Sequence, residues 1–182
     1  MSNKYKFNDN TKLYFVSFAV VYWIDLFVRN EYRDIVLDSL KYCQRHKGLD
    51  VYAWCIMTSH MHLIIGSETN KLQDIMRDFK AYTSHALRKC IEANERESRK
   101  EWMLWMMKRA GMKNSNNKDW QLWQQDSHPI QLFNAEITKQ KLDYLHNNPV
   151  VAGILSKAEE YVYSSTADYY GKCGLPDIRL LF

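Results

Sequence analysis

The stretch Cys55-Ile56-Met57-Thr58-Ser59-His60-Met61-His62-Leu63-Ile64-Ile65 decides how the rest of the chain is read. Ile56 and Leu63-Ile64-Ile65 are strand formers, and Thr58-Ser59 interrupts the run as a turn or bulge would. Two short strands so closely joined predict an antiparallel hairpin, Leu49–Met57 followed by His60–Gly66. Side chains at i and i+2 of a strand share a face. His60 and His62 therefore stand side by side where the second strand opens, while Met61 points into the core. Two imidazoles on one rigid face supply half of a divalent-metal site. Histidines that merely border an apolar strand are also common, and the triplet alone does not separate the two readings.

Towards the N-terminus, the run from Leu13 to Trp23 is aromatic and β-branched and predicts the first strand. Asn30-Glu31 then opens a helix over about 31–47, in which Tyr32, Ile35, Val36, Leu40 and Cys43 recur at helical spacing. Gly48 is placed to end it. Beyond the hairpin, Lys71 to about Ala93 reads as a long helix with a buried stripe of Leu72, Ile75, Met76, Phe79 and Leu87. Arg77, Lys80, Arg88 and Lys89 lie mostly off that stripe. They form either a solvated face or a DNA-facing one.

From about 94 to 119 the composition changes. A charged run, Glu95 to Glu101, precedes the aromatic and Met-rich Trp102 to Met107 and a loop-like stretch from Gly111 to Lys118. This predicts an insertion carrying a short helix: a flap, a second nucleic-acid contact or a passive surface excursion. Trp120–Gln125 reads as a fourth strand, broken by Asp126-Ser127-His128-Pro129, with Ile130–Phe133 extended again. Asn134 is a candidate N-cap for a helix over Ala135–Asn148 that Pro149 stops. The tail reads as irregular. The order of elements implies an α+β fold, a ferredoxin-like (RRM-like) antiparallel sheet with helices on one face.

The length of 182 residues suits one domain, spanning 1–182 with the insertion inside it. No apolar run reaches a membrane span, and the start lacks a signal-peptide core, so a cytoplasmic protein with no membrane partner is expected. Cys43, Cys55, Cys90 and Cys173 form no C-x-x-C pair, which argues against a zinc ribbon or disulfide framework and for inert thiols. A net charge of +4 is compatible with nucleic acid without demanding it. The many tyrosines and tryptophans serve either the core or stacking on unpaired bases.

Three segments together carry a resemblance. Ala53-Trp54-Cys55-Ile56-Met57-Thr58-Ser59-His60-Met61-His62-Leu63-Ile64, Leu122-Trp123-Gln124-Gln125 and Tyr144-Leu145-His146-Asn147-Asn148-Pro149-Val150-Val151-Ala152-Gly153-Ile154 resemble the HUH single-tyrosine transposases. The tail, Tyr161-Val162-Tyr163-Ser164-Ser165 through Asp168-Tyr169-Tyr170-Gly171, resembles the REP-associated branch. The resemblance runs from the first strand to the tail, and the 94–119 stretch fits it least.

It implies the HUH endonuclease fold and an enzyme that nicks and rejoins single-stranded DNA beside a hairpin, through a 5′-phosphotyrosine intermediate. His60 and His62 match the metal-binding histidines, Tyr144 the nucleophile, and Asn148 the third metal position, with Asn147 as a fallback. Some relatives carry Gln where Asn148 stands, and Asn reaches one methylene less far. The implied cofactor is Mg²⁺ or Mn²⁺, which suits a site completed by phosphate oxygens. Tyr144 and Asn148, four apart, share one face of a helix. Monomer and homodimer both remain open, and in a dimer Tyr144 would serve its own or its partner's histidines. Candidate DNA contacts are Arg77, Lys80, Trp123, Gln125 and Lys141. Tyr82, Tyr161 and Tyr163 are weaker candidates for the nucleophile, and His128 is a turn residue or a DNA contact. The rival readings are a catalytically silent hairpin binder, an RNA-binding module and a metal hydrolase.

Overall fold

The computed structural model describes residues 7–114, 119–125, 128–172 and 174–182. Its centre is a four-stranded antiparallel sheet ordered β2-β3-β1-β4. The strands are β1 (Tyr14–Ala19), β2 (Asp50–Ile56), β3 (His60–Gly66) and β4 (Ile130–Gln131). The helices are α1 (Asn30–Lys47), α2 (Leu72–Ala93), α3 (Lys100–Met112) and α4 (Ala135–Val151). The β-α-β-β-α-β order with this strand arrangement is the ferredoxin-like sandwich.

Alternation along the strands sorts the core into two layers. Val16 and Phe18 of β1, Trp54 of β2, and Met61 and Leu63 of β3 pack with Val36 and Leu40 of α1 and Phe79 and Leu87 of α2. On the other side, Phe15, Ala53, Cys55 and Ile64 pack against Leu142 and Leu145 of α4. Helices therefore cover both faces, not one as the order of elements implied. The second face is closed by α4, which follows the last strand.

α1 ends where expected. Gly48 is left-handed (φ 64°), and a β-carbon there would collide with Thr69. Asn134 caps α4 by accepting from the Ile137 N–H at 2.8 Å. Pro149, however, lies inside α4. Its fixed φ suits a helix, it is buried, and the helix ends two residues later, so few bonds are lost.

Three further expectations are corrected. β1 stops at Ala19, and Val20 to Val28 runs through two tight 3₁₀ turns. Trp120–Gln125 is not the fourth strand; Trp123 makes one isolated bridge to Val20, and β4 is Ile130–Gln131. α3 is not a surface excursion, since Met103 and Met107 are fully buried in the larger core. Gly111 of α3 lies so close to the Trp120 backbone that no β-carbon fits between them. The tail is tied to the outer edge of β2: Ile56 N–H donates to Tyr163 O, Ser165 N–H to Trp54 O, and Arg179 N–H to Val51 O, each at 2.9 Å. It covers an edge that would otherwise be open to pairing.

Cys43 and Cys55 are buried free thiols and Cys90 is half-buried. Burial pushes the Cys43 thiol up to about 11. Cys173, Asp126, Ser127 and residues 115–118 lie outside the described residues.

Candidate active site

The histidine pair stands on the α4 face. In the β-ladder His62 lies between Ser17 of β1 and Cys55 of β2, and His60 lies opposite Ala19. The two imidazole centroids are 4.9 Å apart. Ser17 Oγ sits 2.7 Å from His62 Nδ1, and Phe15 stacks on the ring at 5.3 Å. With Nδ1 held by the serine, the other nitrogen, Nε2, faces α4. There it meets the Asn148 side-chain amide at 3.1 Å. Ser59 Oγ lies 3.3 Å from His60 Nδ1.

Tyr144, one turn before Asn148 on α4, places its ring edge-on to His62 at 5.3 Å. It is 51% exposed, so its hydroxyl is open to a substrate. Tyr144 and Asn148 line one open cleft with Gln140 and Asp143. Asn147 also lines that cleft but points outward and is exposed, whereas Asn148 is half-buried against the histidine. The Lys141 ammonium lies over the rings of Phe15 (5.3 Å) and Tyr144 (5.8 Å), beside the pair.

Burial pushes His62 down to about 3, helped by the nearby charges of His60 and Lys141. His60 is lowered by burial as well, against an opposing pull from Asp25. Both imidazoles are thus neutral at pH 7, the form that binds a metal. Among the described residues no three His, Cys, Asp or Glu side chains gather closely enough to hold an ion. A cation here would rest on two imidazoles and a carboxamide, all uncharged donors that leave its charge for a phosphate. The donor set fits such an ion, with positions left over for substrate oxygens.

The other sequence candidates lie elsewhere. Trp123 is 4% exposed, tilted on Phe18 and stacked on Phe27, and its Nε1–H donates to Thr83 Oγ1 at 2.9 Å. It is a core residue and offers no face to a base. Arg77 is on α2, across the sheet from the histidines, in ion pairs with Asp74 (2.7 Å) and Asp78 (3.0 Å). Lys80 Nζ donates to the carbonyls of Gln124 (2.9 Å) and Gln125 (3.3 Å), tying that segment to α2. The exposed Gln125 side chain lines a separate cleft. Of the five proposed DNA contacts, the fold brings only Lys141 to the histidines. Tyr161 is buried and donates to Ile56 O at 2.7 Å, Tyr163 faces Asp34 and Arg33, and Tyr82 lies on α2. His128 is exposed with φ 38°.

Two neighbours of the site went unread in the sequence. Ser17 is the one small polar residue in the apolar run from Leu13 to Trp23, on the same strand face as Phe15, and that was its signal. Trp23 packs edge-on to His60 at 5.3 Å. Nothing in its local sequence marks it, because it arrives there through an unusual turn.

A family model described as "Transposase IS200 like" matches residues 14–109. The chain belongs to the IS200-like transposase family. The match takes in His60, His62 and most of α3, and ends before α4. The fold is also that of a solved REP-associated tyrosine transposase bound to a REP hairpin. The TM-score is 0.68 at 16% identity, covering 97% of this chain and 89% of the other. A comparison with curated proteins finds no match. No described helix is long and apolar enough to cross a membrane.

Proposed function

We propose that this transposase-family chain nicks and rejoins single-stranded DNA beside a hairpin, acting in the cytoplasm as one catalytic domain. The observation that carries the reading is convergence. His60 and His62 from β3 and Tyr144 and Asn148 from α4, more than 80 residues apart in the chain, meet within hydrogen-bond and ring-contact distance. The hairpin preference is supported by the REP hairpin held by the solved relative of the same fold.

Tyr144 Oη attacks the phosphorus in line. The Oη–P bond forms as the P–O3′ bond breaks, the phenolic proton passes to solvent, and the departing oxygen takes a proton to become a free 3′-hydroxyl. The product is a 5′-phosphotyrosine. A 3′-hydroxyl can later reverse the step on another end, so the bond energy is kept without a nucleotide cofactor. Bound Mg²⁺ or Mn²⁺, held by His60, His62 and Asn148, would supply Lewis-acid neutralisation of the phosphate. Ser17 fixes the His62 ring so that Nε2 faces the cleft. Lys141 places a positive charge beside the tyrosine ring. The contact of Tyr144 with His62 of its own chain supports a site built within one protomer.

The test is a covalent-adduct assay. Labelled single-stranded hairpin DNA from the flanks of the chain's own gene is incubated with Mn²⁺ or Mg²⁺, with and without EDTA, and run on denaturing gels. The expected result is a metal-dependent adduct absent from Tyr144→Phe and His60→Ala. An adduct that survives in Tyr144→Phe would assign the wrong nucleophile. Tight hairpin binding with no adduct in either metal would leave a DNA binder without the chemistry.

A further inference from the structure

Tyr22 and Trp23 are consecutive bulky aromatics that both adopt left-handed backbone, each with φ 55°. Non-glycine residues seldom do so, and the conformation persists only where its surroundings impose it. Here they do. Val20 N–H donates to Ser59 O (2.9 Å), Val21 N–H to Leu122 O (2.8 Å) and Phe27 N–H to Thr58 O (2.7 Å), while Val20, Val21 and Ile24 are buried. The rings gain little burial from this, since Tyr22 is 44% and Trp23 58% exposed. The turn displays two exposed aromatic rings.

Trp23 meets His60. Tyr22 lines an open cleft of about 520 Å³ whose walls include Lys113, Gln121, Gln124 and Gln125, a volume in the range of small-ligand sites. Gln121 Nε2 donates to Trp123 O (2.9 Å) and Gln124 Nε2 to Val20 O (3.2 Å). Gln121 Oε1 also accepts from Asn114 Nδ2 at 2.9 Å. Both amides are thereby fixed in place, yet each keeps a second N–H and a further lone pair on its oxygen. Among the described residues that line the cleft there is no carboxylate. An aromatic face, carboxamides of set orientation and one lysine are what an unpaired nucleotide needs: stacking, base-edge hydrogen bonds and a phosphate partner.

We infer that this cleft holds one unpaired base of the single-stranded DNA flanking the scissile phosphate, stacked on Tyr22 and read by Gln121 and Gln124, with Trp23 guiding the strand past His60. The inference rests on the proposed reaction site, because that site supplies the strand. It assigns sequence choice to a place distinct from the His60–His62–Tyr144 centre.

The test uses the full chain and hairpin-bearing single strands from its gene flanks, with 2-aminopurine placed at successive flanking positions and binding read by fluorescence. In wild type, one position is expected to be quenched. Tyr22→Asn removes the ring while tolerating left-handed backbone, so its thermal midpoint should be unchanged or higher. It should abolish the quench and weaken binding about fivefold or more. Tyr22→Phe should keep the quench, and Gln124→Glu should change which base is preferred there. The inference is overturned if no position is quenched, if Tyr22→Asn quenches like wild type, or if Tyr22→Phe fails as Asn does. Tyr144→Phe separates the two claims: it should lose the adduct and keep the quench. Wild-type quench without any adduct would remove the reaction and leave the cleft.

Discussion

On the face covered by α1, α2 and α3, the polar side chains of Glu97, Trp123 and Lys80 are bound back into the protein. Glu97 is buried between Arg29 (2.8 Å) and Arg99 (3.0 Å), Trp123 is tied to Thr83, and Lys80 clasps the 124–125 backbone. On the α4 face, two neutral imidazoles and an amide are partnered on one side and open on the other, with the Lys141 ammonium beside them. A buried charge must be paired to be tolerated, and once paired it has little left for a ligand. A neutral imidazole can be buried at modest cost and still offer a lone pair. Under the proposed reaction the two faces divide the labour, with stability on one and chemistry on the other.

The largest effect expected from this division is on Trp123. Trp123→Ala should cost ~3–5 kcal/mol, as truncation of a large buried aromatic does, and lower the thermal midpoint by roughly 10 °C for a chain of this size. Hairpin affinity of the folded fraction should stay near wild type. A small thermal change with a large loss of DNA binding would restore Trp123 as a stacking platform and break the contrast.

Next is Glu97. Glu97→Gln should cost about 2 kcal/mol, less than a fully enclosed pair because both arginines are one-third exposed. Hydrogen bonds from Arg99, with Arg29, hold the Glu97 carboxyl down to about 2, below its ordinary 4.5. The unfolded chain therefore takes up the proton first, and the stabilisation present above pH 4.5 is lost as pH falls towards 2. Urea unfolding of wild type and Glu97→Gln should differ at pH 7 and converge near pH 2. His62 sharpens the comparison with an earlier window. Its folded value near 3 lies below the ordinary 6.5, so stability declines as pH falls from 6.5 towards 3. His62→Asn should lessen that slope, leaving the share of His146, which burial pushes down to about 4, and the Glu97 window in place.

The legible parts of the fold were those where local and tertiary demands agree. The β2–β3 hairpin, α1 with Gly48, the α2 stripe and the Asn134 cap all carry period and punctuation in the chain itself. The failures share a cause. Val20 to Trp23 has strong strand propensity, but its backbone is seized by Ser59 and Leu122 and turned. Trp120–Gln125 reads as a strand, but Trp123 is claimed by Thr83 and Phe27 across the core. Pro149 signals a stop that the helix end absorbs two residues later. In the site, the histidines were visible from i, i+2 spacing and the tyrosine and amide through family resemblance. The basic residues were not resolvable, because charge in a sequence does not say which face of a sheet it will reach.

Ser17 gives the smallest change in stability and the most pointed test of the contrast. Ser17→Ala leaves His62 Nδ1 without its partner, which should cost about 1 kcal/mol by calorimetry. Yet that bond chooses which imidazole nitrogen faces Asn148 and the cleft. Loss of such an orienting partner commonly weakens metal binding by about 10–100-fold. The Mn²⁺ concentration needed for adduct formation should therefore rise by about that factor in Ser17→Ala, and Ser17→Thr, which keeps the hydroxyl, should recover most of it. On the opposite face the same trade runs the other way: Glu97→Gln should lose more stability and leave the Mn²⁺ requirement where it was. Equal metal requirements in Ser17→Ala and wild type would mean that the α4 face is held for packing as the other is, and that His62 is oriented by Phe15 and α4 without the serine.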